Sequence, residues 1–96
     1  MTLNKKQIYI VDDDESVCRA LKSLLMTFDF EVKTFNSAKD FFANVSNDDP
    51  GCLVLDIHMS GMDGWETQRR ILASGSKRPV IFISAAKDSV ADRALT

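Results

Sequence analysis

The chain has 96 residues, 45% hydrophobic and 27% charged, which describes one small folded domain and excludes a disordered segment. A net charge of −2 with no basic stripe argues against direct nucleic-acid binding by this segment. No apolar run approaches a membrane span and the first residues lead into no signal-peptide core, so a cytoplasmic location without membrane contact is expected.

Gln7-Ile8-Tyr9-Ile10-Val11 is β-branched and almost wholly apolar, the pattern of a strand buried on both faces. It breaks at Asp12-Asp13-Asp14-Glu15, where Asp14 suits a helix N-cap. Val17, Ala20, Leu21, Leu24, Leu25 and Phe28 then recur at helical spacing. They are expected on one face of a helix that ends near Phe28, with Asp29 in the turn. Glu31-Val32-Lys33-Thr34-Phe35 reads as a second strand, and its interleaved charges place it at the sheet edge.

Ser37-Ala38-Lys39-Asp40 has the form of a capping box with Asp in place of Glu. Ala38, Phe41, Phe42 and Val45 supply the face of the helix it opens. Residues 47–51 form a loop by composition, and residues 52–57 a third strand that ends in a carboxylate and a Gly-rich turn. Asp63-Gly64 opens a third helix from Trp65 to about Ala73, with Trp65 and Leu72 on a common face and Gly75 as its stop. Residues 79–84 give a fourth apolar strand, and Asp88 caps a fourth helix carrying Val90, Ala91, Ala94 and Leu95. Cys18 and Cys52 have no ligand-like spacing with His58 and read as small buried hydrophobes in a reducing compartment.

Strands alternating with helices through short loops imply βαβ units, hence an α/β fold with a parallel sheet between helical layers. If the second strand lies outside the first, the order is 2-1-3-4 and the first and third strands flank the switch point. Asp12, Asp13 and Asp56 then converge at one sheet edge, with Ser84 nearby. Clustered carboxylates repel one another unless a divalent cation neutralises them, and an all-oxygen donor set suits Mg²⁺ or Mn²⁺. A carboxylate at the centre of such a site is a competent nucleophile toward phosphorus. Asp56 closes an apolar core strand, a position with no ready structural reason for a charge. Asp14 and Asp63 are read as cap and turn residues, Met59 and Met62 as loop packing. His58 is read as a loop side chain whose main-chain carbonyl is better placed for a metal than its imidazole.

Val11-Asp12-Asp13-Asp14-Glu15, Leu53-Val54-Leu55-Asp56, Met59-Ser60-Gly61-Met62-Asp63-Gly64 and Ile81-Phe82-Ile83-Ser84-Ala85, in this order, resemble the receiver domain of bacterial two-component response regulators. The resemblance covers residues 1–96 and implies a flavodoxin-like three-layer sandwich. It implies that a sensor histidine kinase transfers a phosphoryl group to Asp56, a signalling role rather than that of an enzyme acting on a separate substrate. It further implies that Asp13, Asp56 and the His58 carbonyl bind Mg²⁺, with Asp12 acting mostly through water. Ser84 would be the switch hydroxyl and Ala85 its small neighbour. The wording is most similar to receivers that precede helix-turn-helix domains.

Two departures stand out. Ser60 occupies a position where the family usually has proline, so φ there is not fixed by a ring. The family's fifth βα unit, with its lysine, has no counterpart up to Thr96, and Lys87 lies in a different loop. The chain therefore reads as an incomplete receiver, with an apolar fourth strand expected at an edge where self-association is possible. Phosphoryl transfer from a small donor is then expected to be impaired, with Mg²⁺ binding retained. Two other readings remain open. One is a haloacid-dehalogenase-like phosphatase using Asp12 as nucleophile and Asp14 as acid. The other is an interaction module that keeps only the fold.

Overall fold

The computed structural model describes residues 6–57 and 64–83. Strand β1 (Gln7–Val11) leads through a short acidic turn into helix α1 (Glu15–Met26), then β2 (Glu31–Phe35) and α2 (Ala38–Asn44). Strand β3 (Cys52–Asp56), helix α3 (Gly64–Ala73) and β4 (Val80–Ile83) follow. Every strand pairing is parallel and the order is β2-β1-β3-β4, the flavodoxin-like arrangement expected. Ser84, the proposed fourth helix and the loop holding His58, Ser60 and Asp63 lie outside the described residues.

Alternation along β1 divides the core between two faces. Ile8 and Ile10 pack with Val32, Val54 and Cys18 on the α1 side. Tyr9 and Val11 pack with Leu53, Leu55, Phe41 and Ile71 on the side of α2 and α3. Ile10, Val11, Leu53 and Leu55 are fully buried, each worth about 2 kcal/mol of apolar transfer. β2 is half-wet, with Val32 buried between exposed Glu31 and Lys33, as its charges required.

Local chemistry sets the junctions. Asp14 Oδ1 accepts from the Ser16 and Val17 amides (2.9 and 3.3 Å) and starts α1. Ser37 Oγ accepts from the Asp40 amide at 3.0 Å and starts α2. Asp29 turns the chain at φ 70°, a left-handed conformation that Asp tolerates better than most residues. Gly75 ends α3 at φ 84°.

Two helix faces differ from expectation. In α1, Cys18, Leu21 and Leu25 face the sheet, whereas Leu24 and Phe28 are exposed. Leu21 and Leu25 thus lie where the spacing put them, and the apolar face is rotated toward Cys18 and away from Leu24 and Phe28. In α3, Thr67 and Ile71 are buried one turn apart, while Leu72 is exposed. Trp65 is half exposed and lies against Phe82, ring centroids 4.7 Å apart.

Candidate metal centre

The three acidic residues sit where the strands leave the core. Val11 lies opposite Leu55 in the parallel register, so the next residues, Asp12 and Asp56, come level at the C-terminal edge. Asp12, Asp13 and Asp56 each bring one carboxylate oxygen to within 4.8 Å of the others. Asp12 and Asp56 are completely buried, and Asp13 is exposed at the rim. This juxtaposition falls at the switch point between β1 and β3, where open α/β sheets bind their ligands.

The first turn of α1 surrounds Asp12. Its Oδ1 accepts from the Asp14 amide at 2.8 Å, and its carbonyl accepts from the Cys18 thiol at 3.3 Å. Burial, then the negative charge of Asp12, pushes the Cys18 thiol up to about 11, so at neutral pH it is protonated and a donor. Burial also raises the Cys52 thiol, with Arg78 opposing.

The donor set fits a hard divalent cation. Among the described residues the converging donors are oxygens, and two of the three carboxylates are withdrawn from water, where their mutual repulsion is least screened. His58 and Ser84, the other two candidates, are outside the described residues. Asp14 is more than a cap and Cys18 more than a core residue, because both also touch Asp12. Arg78 was missed entirely. Its guanidinium donates to the Gly51 and Ser46 carbonyls (3.0 and 2.9 Å) and lies over the Tyr9 ring at 5.0 Å. An arginine in a short loop before a strand gives no periodic signal to find it by.

A doubly wound parallel sheet with an acidic cluster at its switch point defines a class of α/β domain rather than one member. The family follows from similarity along the chain. The response regulator receiver domain family model matches residues 8–96, and the chain belongs to that family. Response regulator protein TmoT of Ectopseudomonas mendocina is 44% identical over 81 residues, covering 84% of this chain and 37% of that protein. The structure of response regulator StyR superposes with a TM-score of 0.81 at 41% identity, covering 88% of this chain and 43% of that one. Response regulator protein TrrA of Thermotoga maritima, solved in complex with Mg²⁺-BeF, shares the fold with a TM-score of 0.77 at 24% identity, covering 91% of this chain and 76% of that one. The chain spans little more than a third of the length of curated relatives such as TmoT, TodT and TdiR. No helix among the described residues is long and apolar enough to cross a membrane.

Proposed function

We propose that this domain is a phosphoacceptor switch in which Asp56 receives a phosphoryl group from the phosphohistidine of a sensor histidine kinase. The observation that carries the reading is the meeting of Asp12, Asp13 and Asp56 oxygens within 4.8 Å at the ends of two adjacent strands. Family membership supports it, and a phosphatase that used Asp12 as nucleophile would give the carboxylate at Asp56 no role. Asp13 and Asp56, with the main-chain carbonyl of His58, would hold Mg²⁺ or Mn²⁺, and Asp12 would act mostly through water. The Mg²⁺-BeF complex of TrrA supports that choice of ion. A bound divalent cation supplies neutralising charge for the carboxylates and for incoming phosphoryl oxygens.

In the transfer, a carboxylate oxygen of Asp56 attacks phosphorus as the P–N bond of the phosphohistidine breaks. The imidazole nitrogen leaves with the bonding pair, and an acyl phosphate remains on Asp56. Strand β3 holds the nucleophile rigidly, and exposed Asp13 marks the open side of the cluster. Ser84, following β4 in sequence, would reorient its hydroxyl toward an added phosphoryl oxygen and report its presence. A cytoplasmic location belongs to the same reading.

The test is to treat the native protein with Mg²⁺ and a large excess of acetyl phosphate, for long enough that even the slow transfer expected from a small donor accumulates, and to locate the added phosphoryl group by peptide mass. It is expected on the peptide containing Asp56, and to disappear in Asp56→Asn and on chelation of the metal. Phosphate on Asp12, or none on the protein under any of these conditions, overturns the reading.

A further inference from the structure

The contacts around Asp12 reach further than a helix cap requires. Asp14 contributes twice: its amide donates to Asp12 Oδ1 at 2.8 Å, and its carboxylate receives the Ser16 and Val17 amides. One turn on, the Cys18 amide donates to the Asp14 carbonyl at 3.1 Å, and the Cys18 thiol donates to the Asp12 carbonyl at 3.3 Å. Asp12 is thus gripped at side chain and main chain by one helical turn. The amide of Asp12 is held separately, donating to the Phe35 carbonyl of β2 at 3.1 Å.

We infer that the first turn of α1, through Asp14 and Cys18, is the positioning element of the Asp12–Asp13–Asp56 cluster and sets its affinity for a divalent cation. The inference rests on the proposed cation site but not on phosphoryl transfer. Asp14 and Cys18 are positioning residues, since neither belongs to the cluster of converging carboxylates. The physical basis is preorganisation. Freed at either end, Asp12 and the adjoining Asp13 would sample rotamers and backbone angles that spread the oxygens apart. A cation would then have to restore the geometry at the expense of its own binding. Capping and cation binding are consequently linked: a loaded site should steady the helix start, and a frayed start should loosen the site.

The experiment is a Mg²⁺ titration of the native protein followed by Trp65 fluorescence and by calorimetry, with no phosphodonor present. Asp14→Ala removes cap and charge together, whereas Asp14→Asn removes the charge and keeps an N-cap acceptor. Asp14→Ala keeps the amide that donates to Asp12 Oδ1 but frays the turn that carries it, and should weaken Mg²⁺ by up to about tenfold relative to wild type, the low end for a disturbed partner behind a metal ligand. The step from Asp14→Asn to Asp14→Ala should be larger than the step from wild type to Asp14→Asn. Cys18→Ala should weaken binding by about threefold, because a thiol is a weak donor, and Cys18→Ser should restore it. Ser37→Ala, which strips the α2 cap without touching the cluster, should leave Mg²⁺ affinity unchanged and so separates positioning from general loss of stability. Amide exchange at Ser16 and Val17 should slow when Mg²⁺ is added to wild type.

Equal affinity in Asp14→Ala and wild type overturns the inference. So does Asp14→Asn falling as far as Asp14→Ala, which would assign the effect to charge alone. A wild-type protein that binds no Mg²⁺ defeats the cation site itself, and the inference with it. Normal Mg²⁺ behaviour combined with no phosphate at Asp56 even after prolonged exposure to excess acetyl phosphate defeats only the phosphoacceptor reading.

Discussion

Cys18 shows how one buried side chain is tuned by the site beside it. It is 5% exposed, its thiol faces the Asp12 carbonyl, and burial together with the Asp12 charge lifts its pKa from the ordinary 9.0 to about 11. The folded protein therefore holds the thiol proton more tightly than the unfolded chain. Below pH 9 both states are protonated and this contribution is fully present. As pH rises through 9 the unfolded state gains by ionising, and stability is lost until the folded thiol also ionises near 11. The shift corresponds to a loss on the order of 2–3 kcal/mol across that window. Chemical denaturation of the metal-free protein at a series of pH values should show this decline, and Cys18→Ala should flatten it. Equal slopes in the two proteins would mean that the thiol does not remain protonated in the fold.

Glycine shows at the level of elements how a loop is tailored to the strand it feeds. Gly51 enters β3 at φ 136°, and a Cβ there would lie 2.7 Å from Tyr9 Cε2 and 3.0 Å from the Gln7 carbonyl. Gly75, at φ 84°, faces open space. Gly51→Ala should cost about 2–3 kcal/mol, through backbone strain and collision with a core ring together. Gly75→Ala should cost about 1 kcal/mol, from backbone strain alone. Urea unfolding of both variants checks the ranking, and an equal cost would show that Tyr9 moves aside freely.

The elements also show which parts of this fold could be read from residues alone. β1 and β2 were legible to the residue because their composition and flanking turns agree. The caps at Asp14 and Ser37 were legible because one side-chain oxygen satisfies local amides, a contact that spacing alone describes. The inward faces of α1 and α3 were legible only in part: Leu21 and Leu25 lie against the sheet as expected, whereas Leu24, Phe28 and Leu72 do not. In α1 the apolar face is rotated toward Cys18, a rotation that spacing alone does not specify. In α3 the buried pair includes Thr67, a polar residue that no hydrophobic pattern would select. The acidic cluster was legible because parallel register forces the ends of β1 and β3 together once the strand order is known. The grip of Cys18 on Asp12 was not, since nothing in sequence distinguishes a core thiol from a donating one.

At the scale of the whole molecule, the cluster is a standing cost on folding. Two fully buried carboxylates and a third at the rim bring oxygens within 4.8 Å of one another, and like charges held that close oppose the compact state. Asp56→Asn removes one of the buried charges with almost no change of shape. In chelator it should therefore be more stable than wild type by about 1–2 kcal/mol. Added Mg²⁺ should reverse the order, because a ligand that binds only the folded state stabilises it by mass action. A hundredfold excess over Kd contributes about 2.7 kcal/mol, and for a domain near this size the melting midpoint moves by roughly 10 °C or more. NaCl at matched ionic strength separates site binding from diffuse screening, since screening acts chiefly on exposed charges and scarcely reaches Asp12 and Asp56. Thermal unfolding of the two proteins in chelator, NaCl and Mg²⁺ thus has a required pattern: the variant leads without Mg²⁺, the wild type leads with it, and NaCl leaves the ranking in place. If Mg²⁺ and NaCl raised both proteins alike, the carboxylates would be near one another without forming a cation site.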